Sequence, residues 1–116
     1  MSPNNLPAGL FLADFELLDP GTGKAIPLTR DGIFTIVTAA AETNTLGLPT
    51  RVGQIIGFTM KTDGGDRVIT VASAFNSSGN TIITLNDVGD TIVLIGVRSG
   101  TTFRWQTLAT DGPSLS

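Results

Sequence analysis

Apolar and polar residues alternate with a period of two along much of this chain. Ile56, Phe58 and Met60 share one side of Gln54–Lys61. Phe103, Trp105 and Thr107 share one side of Thr101–Leu108, with Arg104 and Gln106 on the other. A two-residue period puts successive side chains on opposite faces of a strand. Ile33–Ala39, Arg67–Ala74, Thr81–Leu85 and Thr91–Val97 are rich in the β-branched residues that suit a pleated surface. Turn residues separate these runs: Asn76–Asn80, Asn86–Asp90 and Arg98–Gly100. Asp63-Gly64-Gly65-Asp66 predicts a hairpin-type turn leading into a return strand. Short strands with regular turn signals predict an all-β fold, a small antiparallel β-sandwich or barrel of jelly-roll-like form. Only Thr38–Thr45, with Ala-Ala-Ala-Glu at its centre, has room for one or two helical turns. No long-period repeat is visible.

The first 30 residues differ from the rest. They hold Pro3, Pro7, Pro20 and Pro27, four of the six prolines. Proline fixes φ and removes a donor, which excludes a long helix or a central strand. The same segment carries Leu6, Leu10, Phe11, Leu12, Phe15, Leu17 and Leu18. Apolar residues without a regular period predict an extended N-terminal arm over residues 1–30. It would pack on its own domain, a sister subunit or another protein. Residues 31–109 form the β body, and 110–116 (TDGPSLS) read as a polar C-terminal tail that frays.

Composition narrows the function. The chain has 116 residues, enough for one core. Charged residues make up 15% and mean hydropathy is positive, so apolar surface is left over for an interface. The net charge is −3 and the seven basic residues are scattered, which argues against nucleic acid. The longest apolar run, Ile92–Val97, falls far short of the ~20 residues of a membrane-spanning helix. The first residues lack the basic start of a secretory signal, which predicts use without export.

His and Cys, the side chains that most often carry nucleophilic and acid–base chemistry, are absent, as is Tyr, which leaves carboxylates as the candidates. No enzyme activity, cofactor or metal is expected. Asp63, Asp66, Asp87 and Asp90 flank glycines and read as turn residues. They lack the ligand spacing of a calcium loop. Gly21-Thr22-Gly23-Lys24 lacks the upstream Gly and the following Ser/Thr of a phosphate loop and reads as a turn. With a single Trp, no row of stacking aromatics for a base or sugar is present. Trp105, Phe103, Ile92 and Leu94 are instead candidates for the core or a subunit interface.

The order of these segments carries a resemblance. Leu48-Pro49 is followed by GQIIGFTMK, GGDRVITV, ITLNDVGDTIVLIGV and TFRWQTLA. Over about Leu48–Ala109 this resembles the head decoration, or cement, proteins of tailed bacteriophages. The resemblance implies a homotrimer on the outer surface of the virion capsid, made in the host cytoplasm. It also implies a structural role that stabilises the shell by binding the major capsid protein. Leu6, Leu10, Phe11, Leu12, Phe15, Leu17 and Leu18 would then be the capsid-docking arm. Ile92, Leu94, Phe103 and Trp105 would be the core or trimer interface. The alternative is a trimeric tail, tail-tip or head-fibre module.

Overall fold

The computed structural model describes residues 15–116. All ten elements among them are strands, arranged in two sheets of five. The first six strands alternate between the sheets: β1 (Glu16–Leu18), β2 (Lys24–Ala25), β3 (Gly32–Val37), β4 (Glu42–Leu46), β5 (Ile55–Thr62) and β6 (Arg67–Val71). β7 (Ile82–Leu85) and β10 (Ser114–Leu115) complete the second sheet, while β8 (Thr91–Ser99) and β9 (Thr102–Asp111) complete the first. The orders are β1-β3-β5-β8-β9 and β10-β7-β6-β4-β2.

The all-β fold read from the sequence is present, as two packed sheets. Its pairing is mixed rather than antiparallel throughout, so it is not a jelly roll. β1, β3 and β5 are parallel to one another, as are β2, β4 and β6. The chain crosses to the opposite sheet after each strand and returns one strand further on. Such crossovers, not hairpins, generate parallel neighbours. Three rungs of a short coil result: β1–β2, β3–β4 and β5–β6. From β6 onward the pairings are antiparallel.

The corners of the coil correct two local expectations. Thr38–Ala41 is not helical; it is the corner between β3 and β4. Asp63–Asp66 is not a hairpin turn; it is the corner between β5 and β6, in different sheets. The two corners stack. Gly64 N–H donates to the Thr38 carbonyl (2.9 Å), and Thr38 Oγ1 donates to the Gly65 carbonyl (2.6 Å). A Cβ on Gly64 would collide with Thr38 O and Ala39 Cα, and one on Gly65 with the Ala40 carbonyl. The run Ala39-Ala40-Ala41 is small because another backbone lies against it, not because it favours helix.

The core fills the space between the sheets. Leu17, Phe34, Phe58 and Ile92 form one inward row across the first sheet. The Phe34 and Phe58 rings stack 5.7 Å apart. Ile69, Val71, Ile83, Leu85 and Leu46 face them from the second sheet. Trp105 is fully buried, and its Nε1 donates to the Gly47 carbonyl (2.7 Å), tying β9 to the β4–β5 connection.

The domain boundaries shift accordingly. Within the expected arm Glu16–Leu18 and Lys24–Ala25 are strands, and Leu17 and Ile26 lie in the core. They dock on their own domain because three apolar rungs bury more than two. The expected polar tail is paired with the sheets. Thr110 and Asp111 end β9, Ser114–Leu115 pair with β7, and the Ser116 carbonyl accepts from Thr81 and Ile82 N–H (both 2.8 Å).

Candidate interaction surfaces

The residues singled out from the sequence separate into three groups. Ile92, Leu94 and Trp105 are fully buried in the domain's own core, and Phe103 is half-buried at its margin. Leu17 is 8% exposed and also belongs to the core, so it is unavailable for docking. Phe15, just ahead of β1, is half-buried, whereas Leu18, on the opposite face of β1 from Leu17, is 88% exposed. Leu6, Leu10, Phe11 and Leu12 lie outside the described residues.

One apolar surface was not singled out in the sequence. It is the outward face of the first sheet. Register places Ile33, Gly57, Val93 and Ala109 in one row, Ile55, Ile95 and Gln106 in the next, and Val97 beside Arg104. Ile33, Ile55, Val93, Ile95 and Val97 are half-buried on this face. Gly57 is small because the Ile33 Cδ1 lies over it. Leu18 and Val37 extend the face. Its charges, Glu16, Lys61, Arg104 and Asp111, sit on edge strands or strand ends. The sequence did carry a signal. Ile92–Val97 is apolar at both parities, and a strand with one wet face alternates instead.

A second feature is a cleft of about 400 Å³ between β9 and the β6–β7 connection. Ala72, Ser73, Ala74 and Asn76 line one wall, and Thr102, Phe103 and Arg104 the other. One end is closed where Thr107 N–H and Oγ1 both donate to the Phe75 carbonyl (2.8 and 2.9 Å). The Arg98 guanidinium lies 5.1 Å from the centre of the Phe103 ring. Ser73 Oγ is buried in the wall with no hydrogen-bond partner among the described residues.

The backbone along this wall is open. Gly96 N–H donates to the Gln54 carbonyl (2.7 Å), and its carbonyl accepts from Gly53 N–H (2.9 Å). Both Gly96 groups point away from β9, so those of its partner Trp105 point to the open edge. The same holds two residues away at Phe103. Arg104 covers the Trp105 carbonyl (3.3 Å) and donates to Gln106 Oε1 (2.7 Å). The N–H and carbonyl of Phe103 and the N–H of Trp105 have no partner among the described residues.

The third feature is a buried ion cluster that joins the rungs. The Arg67 side chain, at the start of β6, is completely enclosed. It forms a bidentate pair with Asp19 (2.9 and 2.8 Å) and donates to Glu42 and to Asn44 Oδ1 (2.7 Å). Asn44 Nδ2 then donates to the Gly21 and Lys24 carbonyls (2.8 and 2.9 Å). Burial pushes the Asp19 carboxyl up. The Arg67 hydrogen bonds and the Val37 and Gly21 N–H groups outweigh it and hold the carboxyl below its ordinary value. Burial lowers the Arg67 pKa, but the paired carboxylates hold it above its ordinary range. Every rung has a stake in this cluster, so it reads as structural.

The remaining candidates serve turns. Gly21 and Gly23 have positive φ (92° and 77°) at the β1–β2 corner. Asp90 Oδ2 accepts from Asn86 and Asp87 N–H (2.8 and 3.0 Å), and Asp63 Oδ1 from Gly65 N–H (3.2 Å). Among the described residues no three acidic side chains converge as metal ligands. No helix there is long and apolar enough to cross a membrane. The chain matches no protein-family model and no curated protein.

Proposed function

We propose that this protein is a non-enzymatic structural subunit of a tailed-phage particle, a decoration protein that sits on the outside of the head as a homotrimer and stabilises the shell. The observation that carries this reading is the outward face of the first sheet. Ile33, Ile55, Val93, Ile95 and Val97 form an apolar surface with charge only at its margins. A monomer rarely leaves such a face to water, and sister copies can cover it under closed symmetry. The apolar residues ahead of β1, together with exposed Leu18, supply further contacts to the shell or to a sister copy. Attachment through several copies at once makes modest contacts strong. Binding only the assembled shell stabilises it by mass action.

The three stacked rungs favour a second reading, a tail or head-fibre module, because coils of this kind lend themselves to end-to-end extension. Copy number per particle separates the two. Quantitative mass spectrometry of purified particles against the major capsid protein should give hundreds of copies. A handful would move the protein to the tail or fibre, and none would remove the virion reading altogether.

A further inference from the structure

We infer that the cleft beside Phe103 is a strand-addition site for the N-terminal segment of a second copy, residues Leu10–Asp14. Three observations converge on an extended peptide as occupant. The wall offers unpartnered N–H and C=O groups at Phe103 and a further N–H at Trp105, two residues apart on one edge, the spacing at which an added strand bonds. The facing wall is built from Ala72, Ser73 and Ala74, small enough for a backbone to approach. The unmet Ser73 hydroxyl lies in that wall.

Chemistry and placement choose the segment. Arg98 and Arg104 flank the cleft, on a chain whose net charge is −3. Leu10-Phe11-Leu12-Ala13-Asp14 is apolar and ends in a carboxylate, complementary to that groove. The described chain begins at the β1 edge of the first sheet, and the cleft lies at the β9 edge. The two edges are four strand spacings apart, roughly 19 Å. A donor at one edge and an acceptor at the other make a head-to-tail contact, which closes into a ring when the rotation permits. The middle of β9 is guarded by Phe75 and Arg104, so addition is confined to Phe103–Trp105. This inference shares with the proposed function only self-association. Its test uses purified protein, so either can fail while the other stands.

The absence of cysteine allows a direct test on the full chain. A tagged Phe11→Cys variant is mixed with an untagged Thr102→Cys variant and oxidised. The expected result is a disulfide between tagged and untagged chains, well above the yield with Val88→Cys, an exposed position in the β7–β8 turn. A Phe11→Cys/Thr102→Cys double variant that bridges only within one chain would assign the cleft to the protein's own segment. Equal yields at Thr102 and Val88 would remove the site. As a second measure, Arg104→Glu should weaken self-association about tenfold in sedimentation equilibrium, and adding Asp14→Arg should restore it. Failure of that restoration would overturn the charge pairing.

Discussion

The two halves of this domain are held together by different chemistry. In the parallel half, β1 to β6, neighbouring strands come from successive rungs. Their corners are clamped by Asp19, Glu42, Asn44 and Arg67 and by backbone packed on backbone at Gly64 and Gly65. In the antiparallel half, β7 to β10, one tight hairpin joins β8 to β9, and Trp105 supplies the largest single buried side chain. The contrast teaches where specificity is needed. Parallel rungs of similar length can slip past one another, and a one-residue slip would turn every apolar side chain outward. A buried ion cluster that satisfies three rungs in one register opposes such slippage. A hairpin has its register fixed by its turn.

Removing the dominant group of each half should have the largest effects. Trp105→Ala should cost about 3–5 kcal/mol in denaturant unfolding, since it opens a cavity and strands the Gly47 carbonyl. Arg67→Ala should cost about 3–5 kcal/mol, because two carboxylates lose their partner inside the fold. A Trp105→Ala protein with an unchanged midpoint would show that β9 does not depend on the core. The triple replacement Arg67→Met, Asp19→Leu, Glu42→Leu sharpens the point. If the cluster sets register rather than stability, this variant keeps its melting temperature but loses its sharp amide spectrum.

A smaller effect distinguishes two kinds of glycine. Gly65 is required by the backbone stacked on it, so Gly65→Asn should destabilise by about 1–3 kcal/mol. Gly100, in the β8–β9 turn, has φ of 62° and open space around it. Asn tolerates that region, so Gly100→Asn should be nearly silent by thermal melting. Equal losses at both positions would erase the distinction between the halves.

The smallest effect is the response to acid. Asp19 has a lower pKa folded than unfolded, so the unfolded chain takes up its proton first as pH falls. The stabilisation is complete above the unfolded value, about pH 4, and declines as pH drops through the lower folded value. Asp19→Asn should flatten this part of the stability–pH curve. A parallel curve for the variant would show that other carboxylates govern it.

The β8–β9 hairpin was largely legible in the sequence. The alternation of Phe103, Trp105 and Thr107 and the Arg98–Gly100 turn are local signals, and β8 and β9 extend only a few residues beyond them. The parallel half was not. Its pairings join residues many positions apart, and Asp63–Asp66 has the composition of a hairpin turn while connecting two sheets. Ala39–Ala41 was misread because small residues suit both a helix and a tight stack. Leu17 and Leu18 could not be told apart because a three-residue strand is too short to show alternation. The outward apolar face was hidden in the run Ile92–Val97, whose two parities belong to two different surfaces.

The seam between the halves has a consequence for biosynthesis. β5 and β6 each have one neighbour upstream and the other, β8 or β7, downstream. If the coil forms as the chain emerges from the ribosome, one flank of both strands stays uncovered until Ile82–Asp111 arrives. During that interval the nascent chain offers two adhesive ladders to any other chain nearby. The fold would then rely on its last third to arrive promptly. Slowing translation through β7–β9 should lower the yield of correctly assembled protein far more than slowing it through β1–β4.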